Sequence, residues 1–305
     1  MGNVKASEIA SFLGAELIGD DILISKAVSF DNIEMNSMVF IKYADFKENI
    51  DIKSLYLVIE DKNILDSSLA SYIRVENPRL SFAKIIEKFF IESFSSKIEK
   101  SANIEDSAKI GNNVYIGHGC YIGNDVIIGD DTVIKHNVVI NSDVVLGTNC
   151  LIKSGVVLGE DGFGFDFDKD GTPVKIPHIG KLIIGNSVEI GSNTVIAKGT
   201  LNNTIIKDNV KIDALVHIAH NCSIDDNSMI IALSQISGSV KIGKSCWIAP
   251  SATIIQKKEI KDNVKVGIGS VVIQNIEENK TVMGLDSIDV IDLFRFKKKN
   301  KFGVK

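Results

Sequence analysis

Residues 104–158, IEDSAKIGNNVYIGHGCYIGNDVIIGDDTVIKHNVVINSDVVLGTNCLIKSGVVL, place an aliphatic residue at every sixth position. The run is Ile104, Ile110, Ile116, Ile122, Ile128, Ile134, Ile140, Leu146, Ile152 and Leu158, ten in succession without a miss. The period returns at Ile184, Ile190 and Ile196 and slips by four residues at Leu201-Asn202-Asn203-Thr204. It then runs from Ile206 through Ile260 to Val266 and Val272, giving twenty-five hexads in all. A period of six suits a short flat strand followed by a sharp corner, and Gly or Asn after the aliphatic residue supplies backbone angles that other residues resist. Three such edges close a triangular coil of about 18 residues, and stacked coils bury an aliphatic column that no single coil buries alone. About eight coils are expected.

The composition agrees with the period. Of 305 residues, 48 are Ile and 27 are Val, while aromatics reach only 7%. β-Branched residues favour strands, and the hydrophobic content of 45% excludes a disordered chain. The net charge is −5, with 31 Lys and only three Arg (Arg74, Arg79, Arg295), a poor basis for reading nucleic acid through bidentate Arg contacts. The first residues, MGNVKASEIASFLGAELIGDD, carry charge throughout, and no run of 18 uncharged apolar residues occurs, so the chain reads as a soluble cytoplasmic protein with no integral membrane segment.

The hexads resemble those of the hexapeptide-repeat acyltransferases, which implies a mainly β fold, a left-handed parallel β-helix, here preceded by a small α/β domain. The handedness comes from the resemblance, since the general rule for parallel crossovers gives the opposite hand. Cys120, Cys150, Cys222 and Cys246 lack metal-ligand spacing and all occupy the fifth hexad position, where small inward side chains belong, so they read as buried packing thiols.

Residues 1–99 lack the period. Strands are expected at Leu23–Phe30, Met38–Lys42, Leu55–Ile59 and Tyr72–Val75, then a helix from Leu80 to about Phe90 announced by Asn77-Pro78, and a polar linker from Ser95 to Ser101. The β-helix is expected over 100–283 and a short basic tail over 284–305, where Arg295–Lys305 holds six positive charges and no acid. That tail reads either as a solvated end or as a contact for an acidic carrier protein. The excursion at 159–180, GEDGFGFDFDKDGTPVKIPHIG, interrupts the solenoid, and such insertions often bear function. Its Phe163, Phe165 and Phe167 either tuck the loop against the prism or line a substrate groove.

Five histidines are present, and His118 and His136 read as outward corner residues. His217 and His220 differ, because they fall three residues apart in VHIAHNC, at one corner. A neutral imidazole there is suited to taking a proton from an amine attacking a thioester. Gly238 lies one coil beyond His220 in the same slot, where its bare backbone N–H would face a thioester oxygen, unless it is only a corner glycine. One coil before, allowing for the slip, lies Lys198. His178 in the excursion either contacts substrate or hydrogen-bonds the loop.

GEDGFGF (159–165), KIPHIG (175–180), VEIGSNTVIAKGTLNNTII (188–206) and VHIAHNCSI (216–224) are similar to segments of the UDP-3-O-acylglucosamine N-acyltransferase family of the lipid A pathway. The resemblance implies a homotrimer with active sites between subunits, moving a 3-hydroxyacyl group from acyl carrier protein to the 2-amino group of a UDP-linked sugar. It implies His220 as catalytic base and Gly238 as oxyanion donor, with His217, Asn221, Lys198, Asp161, Phe163, Phe165 and His178 meeting substrate. It also implies a uridine pocket at Phe40, Tyr43 and Phe46, and no bound cofactor or metal beyond the acyl thioester co-substrate. The chain departs from the family pattern in four places. Tyr43 and Phe46 stand where the family has Asn and Tyr. Ile196-Ala197-Lys198-Gly199 replaces Ile-Asp-Arg-Gly and removes a carboxylate, Lys257 replaces a second histidine, and the long C-terminal helix is missing from the pattern. These departures leave open an acyl-CoA-dependent enzyme, acetyl-CoA for example, acting on a UDP- or dTDP-linked amino sugar for surface polysaccharide. A third reading is an inactive trimeric scaffold.

Overall fold

The computed structural model describes residues 3–41, 54–58, 71–91 and 94–284. The chain divides into two compact units, Met1–Ser93 and Phe94–Lys305.

The first unit holds a five-stranded sheet in the order Leu17–Gly19, Ser71–Arg74, Leu55–Val58, Ser37–Phe40, Lys26–Ala27. All neighbours are parallel except the pair Leu17–Gly19 with Ser71–Arg74. Leu55, Tyr56, Leu57 and Val58 are each fully buried, as a central parallel strand covered on both faces requires. The second helix, Pro78–Ile85, starts where Asn77 Oδ1 accepts the N–H of Leu80 at 3.1 Å and Pro78 takes the first helical position. It continues as a wider turn over Ile86–Phe90, closed by the Ile91 N–H on the Ile86 carbonyl. The expected strand Leu23–Phe30 is instead two short strands, Leu23–Ile24 and Lys26–Ala27, followed by a 3-10 turn at Phe30–Asn32. A helix at Ala6–Leu13 was not anticipated. Lys5 caps it without a side-chain hydrogen bond, so the start signal is absent, and Gly14 ends it in the left-handed region at φ 63°.

The second unit is a parallel β-helix whose three faces hold eight, nine and ten strands, so the stack is somewhat longer than the hexad count suggested. Each two-residue strand pairs with the one a coil later, Ile116 with Ile134 and Ile122 with Ile140 for example. The aliphatic column is fully or almost fully buried from Ile116 to Val266. The stretch Ser95–Ser101, read as a linker, contains the first rung, because Lys97–Ile98 pairs with Tyr115–Ile116. Beyond Val272 the period loses two residues and resumes, Ile260 bridging Ile276 and Val266 pairing with Val282.

The corners turn on one left-handed residue each, Asn113, Asp125, Asn137, Asn193 and Asn221 among them, with φ between 55° and 60°. The fifth hexad position has a second role besides filling space. Cys120, Cys150, Cys222 and Cys246 direct Sγ at the carbonyls of Lys135, Gly185, Ser237 and Lys261 at 2.8–3.2 Å. Thr132, Ser228 and Ser234 use the same slot to donate to the carbonyls of Gly147, Gly243 and Ala249. The thiols are therefore buried donors standing among hydroxyls that serve the same ladder.

Candidate active site

The strand His217–Ile218 ends in the corner Ala219-His220-Asn221, and a coil later Gln235–Ile236 ends in Ser237-Gly238-Ser239. The backbone locks the two corners together, since the Ser239 N–H donates to the His220 carbonyl at 2.9 Å. The imidazole of His220 packs against Gly238, where an added β-carbon would stand 2.9 Å from Cε1 and 3.0 Å from Nε2. The N–H of Gly238 makes no hydrogen bond among the described residues, while its carbonyl is held by the N–H of Lys257. On the opposite edge, Nδ1 of His220 lies 3.2 Å from Thr200 Oγ1.

Burial lowers the His220 pKa below its usual 6.5, and the neighbouring His178 adds to the effect. Burial alone does the same for His217, which pairs in register with Val195 before it and Gln235 after it. Both rings are thereby kept neutral at ordinary pH, the form a proton acceptor needs.

A cleft of about 400 Å³ opens onto this corner, lined by His217, His220, Gln235 and Gly238 on the coils and by Glu160, Asp161 and Phe163 from the excursion. The excursion leaves the strand Val157–Glu160, forms the antiparallel hairpin Phe165–Phe167 with Pro173–Lys175, and re-enters at Leu182–Ile184. Asp161 ties it down through Lys175 at 2.6 Å and Lys198 at 3.5 Å, and Lys175 in particular holds its carboxyl below the usual carboxylate range. Ala197, where the family pattern has Asp, is buried at the cleft wall, so the acids of the cleft are Glu160 and Asp161. The aromatics do not tuck in. Phe163 is 88% exposed at the cleft mouth with Phe165 beside it, ring centroids 4.8 Å apart.

His178 stands behind the site and does not line the cleft. Its Nδ1 lies 2.9 Å from the Ile176 carbonyl, and its ring meets His220 edge to face at 5.3 Å. The strap Gly162-Phe163-Gly164 crosses both rings closely, since a β-carbon at Gly162 would be 2.6 Å from His220 Cδ2 and 2.9 Å from His178 Nε2. Asn221 faces Thr200 through two hydrogen bonds. In the first unit, Phe40 packs its ring on Phe82 at 5.0 Å, and Tyr43 and Phe46 lie outside the described residues. The basic tail at 295–305 also lies outside them. Among the described residues no three His, Cys, Asp or Glu side chains gather as metal ligands, and no helix is long and apolar enough to cross a membrane.

Sequence reasoning missed Gln235, Glu160 and Thr200. Gln235 was available from the 18-residue count that found Gly238. Thr200 was not, because it sits at the edge of the slip where the count is lost.

Residues 101–132 and 125–160 match the family described as bacterial transferase hexapeptide (six repeats). A UDP-3-O-acylglucosamine N-acyltransferase from Chlorobium chlorochromatii is 51% identical over 29% of this chain, a stretch that spans 25% of that protein. One of the same name from Campylobacter lari is 37% identical over 77% of this chain and 78% of its own length. Among solved structures, a UDP-N-acetylglucosamine acyltransferase from Bacteroides fragilis aligns with a TM-score of 0.57 at 25% identity, covering 66% of this chain and 78% of that one. At 37% identity across most of both chains, the Campylobacter lari relative shows that the chain belongs to the UDP-3-O-acylglucosamine N-acyltransferase family.

Proposed function

We propose that the chain moves an acyl group from a thioester to the amino group of a nucleotide-linked amino sugar, with UDP-3-O-(3-hydroxyacyl)glucosamine as acceptor in lipid A biosynthesis. The observation that carries this reading is the pairing of a neutral imidazole, anchored at Nδ1, with a glycine N–H at its other edge, both on one cleft. The acceptor amine attacks the thioester carbonyl, and Nε2 of His220 takes the amine proton as the C–N bond forms. The Gly238 N–H steadies the oxyanion of the tetrahedral intermediate. When the C–S bond breaks, the imidazolium returns its proton to the departing thiolate, so the enzyme ends as it began. His217 and Gln235 face the substrate from the adjoining strands, and Asp161, Lys198, Phe163 and Phe165 border it from the excursion side. Asn221 holds the corner. Phe40, Tyr43 and Phe46 form the base-binding segment of the first unit.

The donor is a 3-hydroxyacyl carrier protein, and carrier-bound thioesters place the reaction in the cytoplasm. The assembly is a homotrimer. Supporting this, Leu215 and Leu233 sit at stacked corners with φ 59° and 63°, a conformation costly for leucine, and are 54% and 58% exposed, as surfaces awaiting a second copy would be. Steady-state assays comparing a 3-hydroxyacyl carrier protein with acetyl-CoA, using UDP-3-O-(3-hydroxyacyl)glucosamine as acceptor, test the reading. Turnover with the carrier protein supports it, and turnover with acetyl-CoA alone overturns it in favour of a short-chain enzyme.

A further inference from the structure

The four-residue break in the period and the end of the 159–180 excursion meet at one corner, and between them they hold Thr200. Its N–H donates to Asn221 Oδ1 at 2.7 Å, and its carbonyl accepts the N–H groups of Ile179 at 2.7 Å and Gly180 at 3.1 Å. Its Oγ1 accepts from Asn221 Nδ2 at 3.3 Å. Asn221 is fixed in turn, with φ 60° and its N–H on Thr204 Oγ1 at 2.8 Å. The chain closes this tightly because residues 180 and 199 are glycines, each of which would drive a β-carbon into the Asn202 carbonyl oxygen. Every polar group of Thr200 is thus spoken for except the remaining capacity of its hydroxyl, which lies 3.2 Å from His220 Nδ1.

A neutral imidazole carries one hydrogen, and a base that accepts a proton at Nε2 must carry that hydrogen at Nδ1. The hydroxyl facing Nδ1 can accept that hydrogen or donate its own, and its oxygen, which already receives one donor from Asn221, retains a lone pair for the first arrangement. We propose that Thr200 is the positioning residue of the catalytic base: its hydroxyl oxygen accepts the Nδ1–H of His220, leaving the Nε2 lone pair on the side of Gly238. The break in the repeat is then a device that aims one hydroxyl. The role a carboxylate plays in other histidine sites falls to a neutral group, which orients the ring without adding charge behind it. The inference rests on His220 being the base.

The test compares Thr200→Val, which keeps the shape and removes the hydroxyl, with Thr200→Ser, which keeps the hydroxyl, in the full-length protein. With a 3-hydroxyacyl carrier protein and the UDP-linked acceptor, Thr200→Val should lower kcat by roughly tenfold or more at nearly unchanged KM, and Thr200→Ser should restore most of it. Nitrogen NMR of histidine-labelled protein should show His220 protonated at Nδ1 in the wild type and in Thr200→Ser, and a shifted tautomer in Thr200→Val. Unchanged kcat and tautomer in Thr200→Val, or a Thr200→Ser variant as impaired as the valine one, would overturn the assignment. His220→Ala is measured beside them. Full turnover in that variant refutes the base assignment itself, while the nitrogen shifts still report whether Thr200 sets the tautomer.

Discussion

His220 and Gly238, one coil apart, are in contact: the imidazole fills the space in which any side chain at 238 would have to sit, 2.9 Å from its Cε1 and 3.0 Å from its Nε2. Gly238 therefore does two things at once, admitting the ring and presenting a bare N–H beside it. Gly238→Ala should push the ring aside without unfolding the corner, because φ at 238 is not in the left-handed region. A displacement of this kind is expected to reduce kcat on the order of a hundredfold. Steady-state kinetics alongside a thermal melt check it, with turnover falling while the melting temperature holds.

The pH profile follows from the same corner. Burial, and after it the proximity of His178, lowers the His220 pKa from 6.5. The base works when neutral, so a lowered pKa preserves activity to more acidic pH, and the acid limb of kcat/KM should fall below 6.5. The groups around the ring include His178 behind it, His217 on the adjoining strand, and Glu160 and Asp161 across the cleft. Removing the ring behind with His178→Gln should move the limb upward. A pH series on wild type and variant decides the point, and a limb unmoved by the substitution contradicts the His178 contribution and leaves burial as the cause.

How much of this was visible in the sequence depends on what each residue buries. The interior rungs were legible because each aliphatic residue has a coil above and below it. Ile98 escaped notice because it begins the stack and is 48% exposed, and Ile276 because two residues drop out before it. In the site, simple counting related His220 to Gly238, and counting failed at Thr200, where the chain leaves the period to make a local turn. The helix Ala6–Leu13 gave no warning because Lys5 offers no capping side chain.

The cysteine ladder makes a separate prediction. Cys222 is buried, and burial pushes its thiol up to about 11. The native protein should therefore leave Cys222 unmodified by iodoacetamide at pH 8, a reaction that needs the thiolate. Cys222→Ser should be tolerated, because Ser228 and Ser234 already donate to carbonyls from the same slot, whereas Cys222→Ala leaves the Ser237 carbonyl without that partner. The alanine variant is expected to lose about 1 kcal/mol more than the serine one. Denaturant titrations of the two variants measure the difference.

Asp161 separates anchoring from stability. Its partners Lys175 and Lys198 and its own side chain are 54%, 19% and 31% exposed, so the ion pairs are screened and contribute little to folding. Asp161→Asn should shift the melting temperature only slightly, in keeping with a loss below about 1 kcal/mol. Activity should respond more strongly. The carboxylate is the link that draws Lys175 of the hairpin and Lys198 of the coils together at the cleft, beside the Gly162 strap that crosses His220. With that link weakened, the strap and Phe163 lose their fixed place and the acceptor meets a looser wall. The expected outcome is a raised KM for the nucleotide-linked acceptor, with kcat at saturation falling less than KM rises. An Asp161→Asn protein that loses several kcal/mol of stability while keeping its KM would show that the pair belongs to the fold and not to the site.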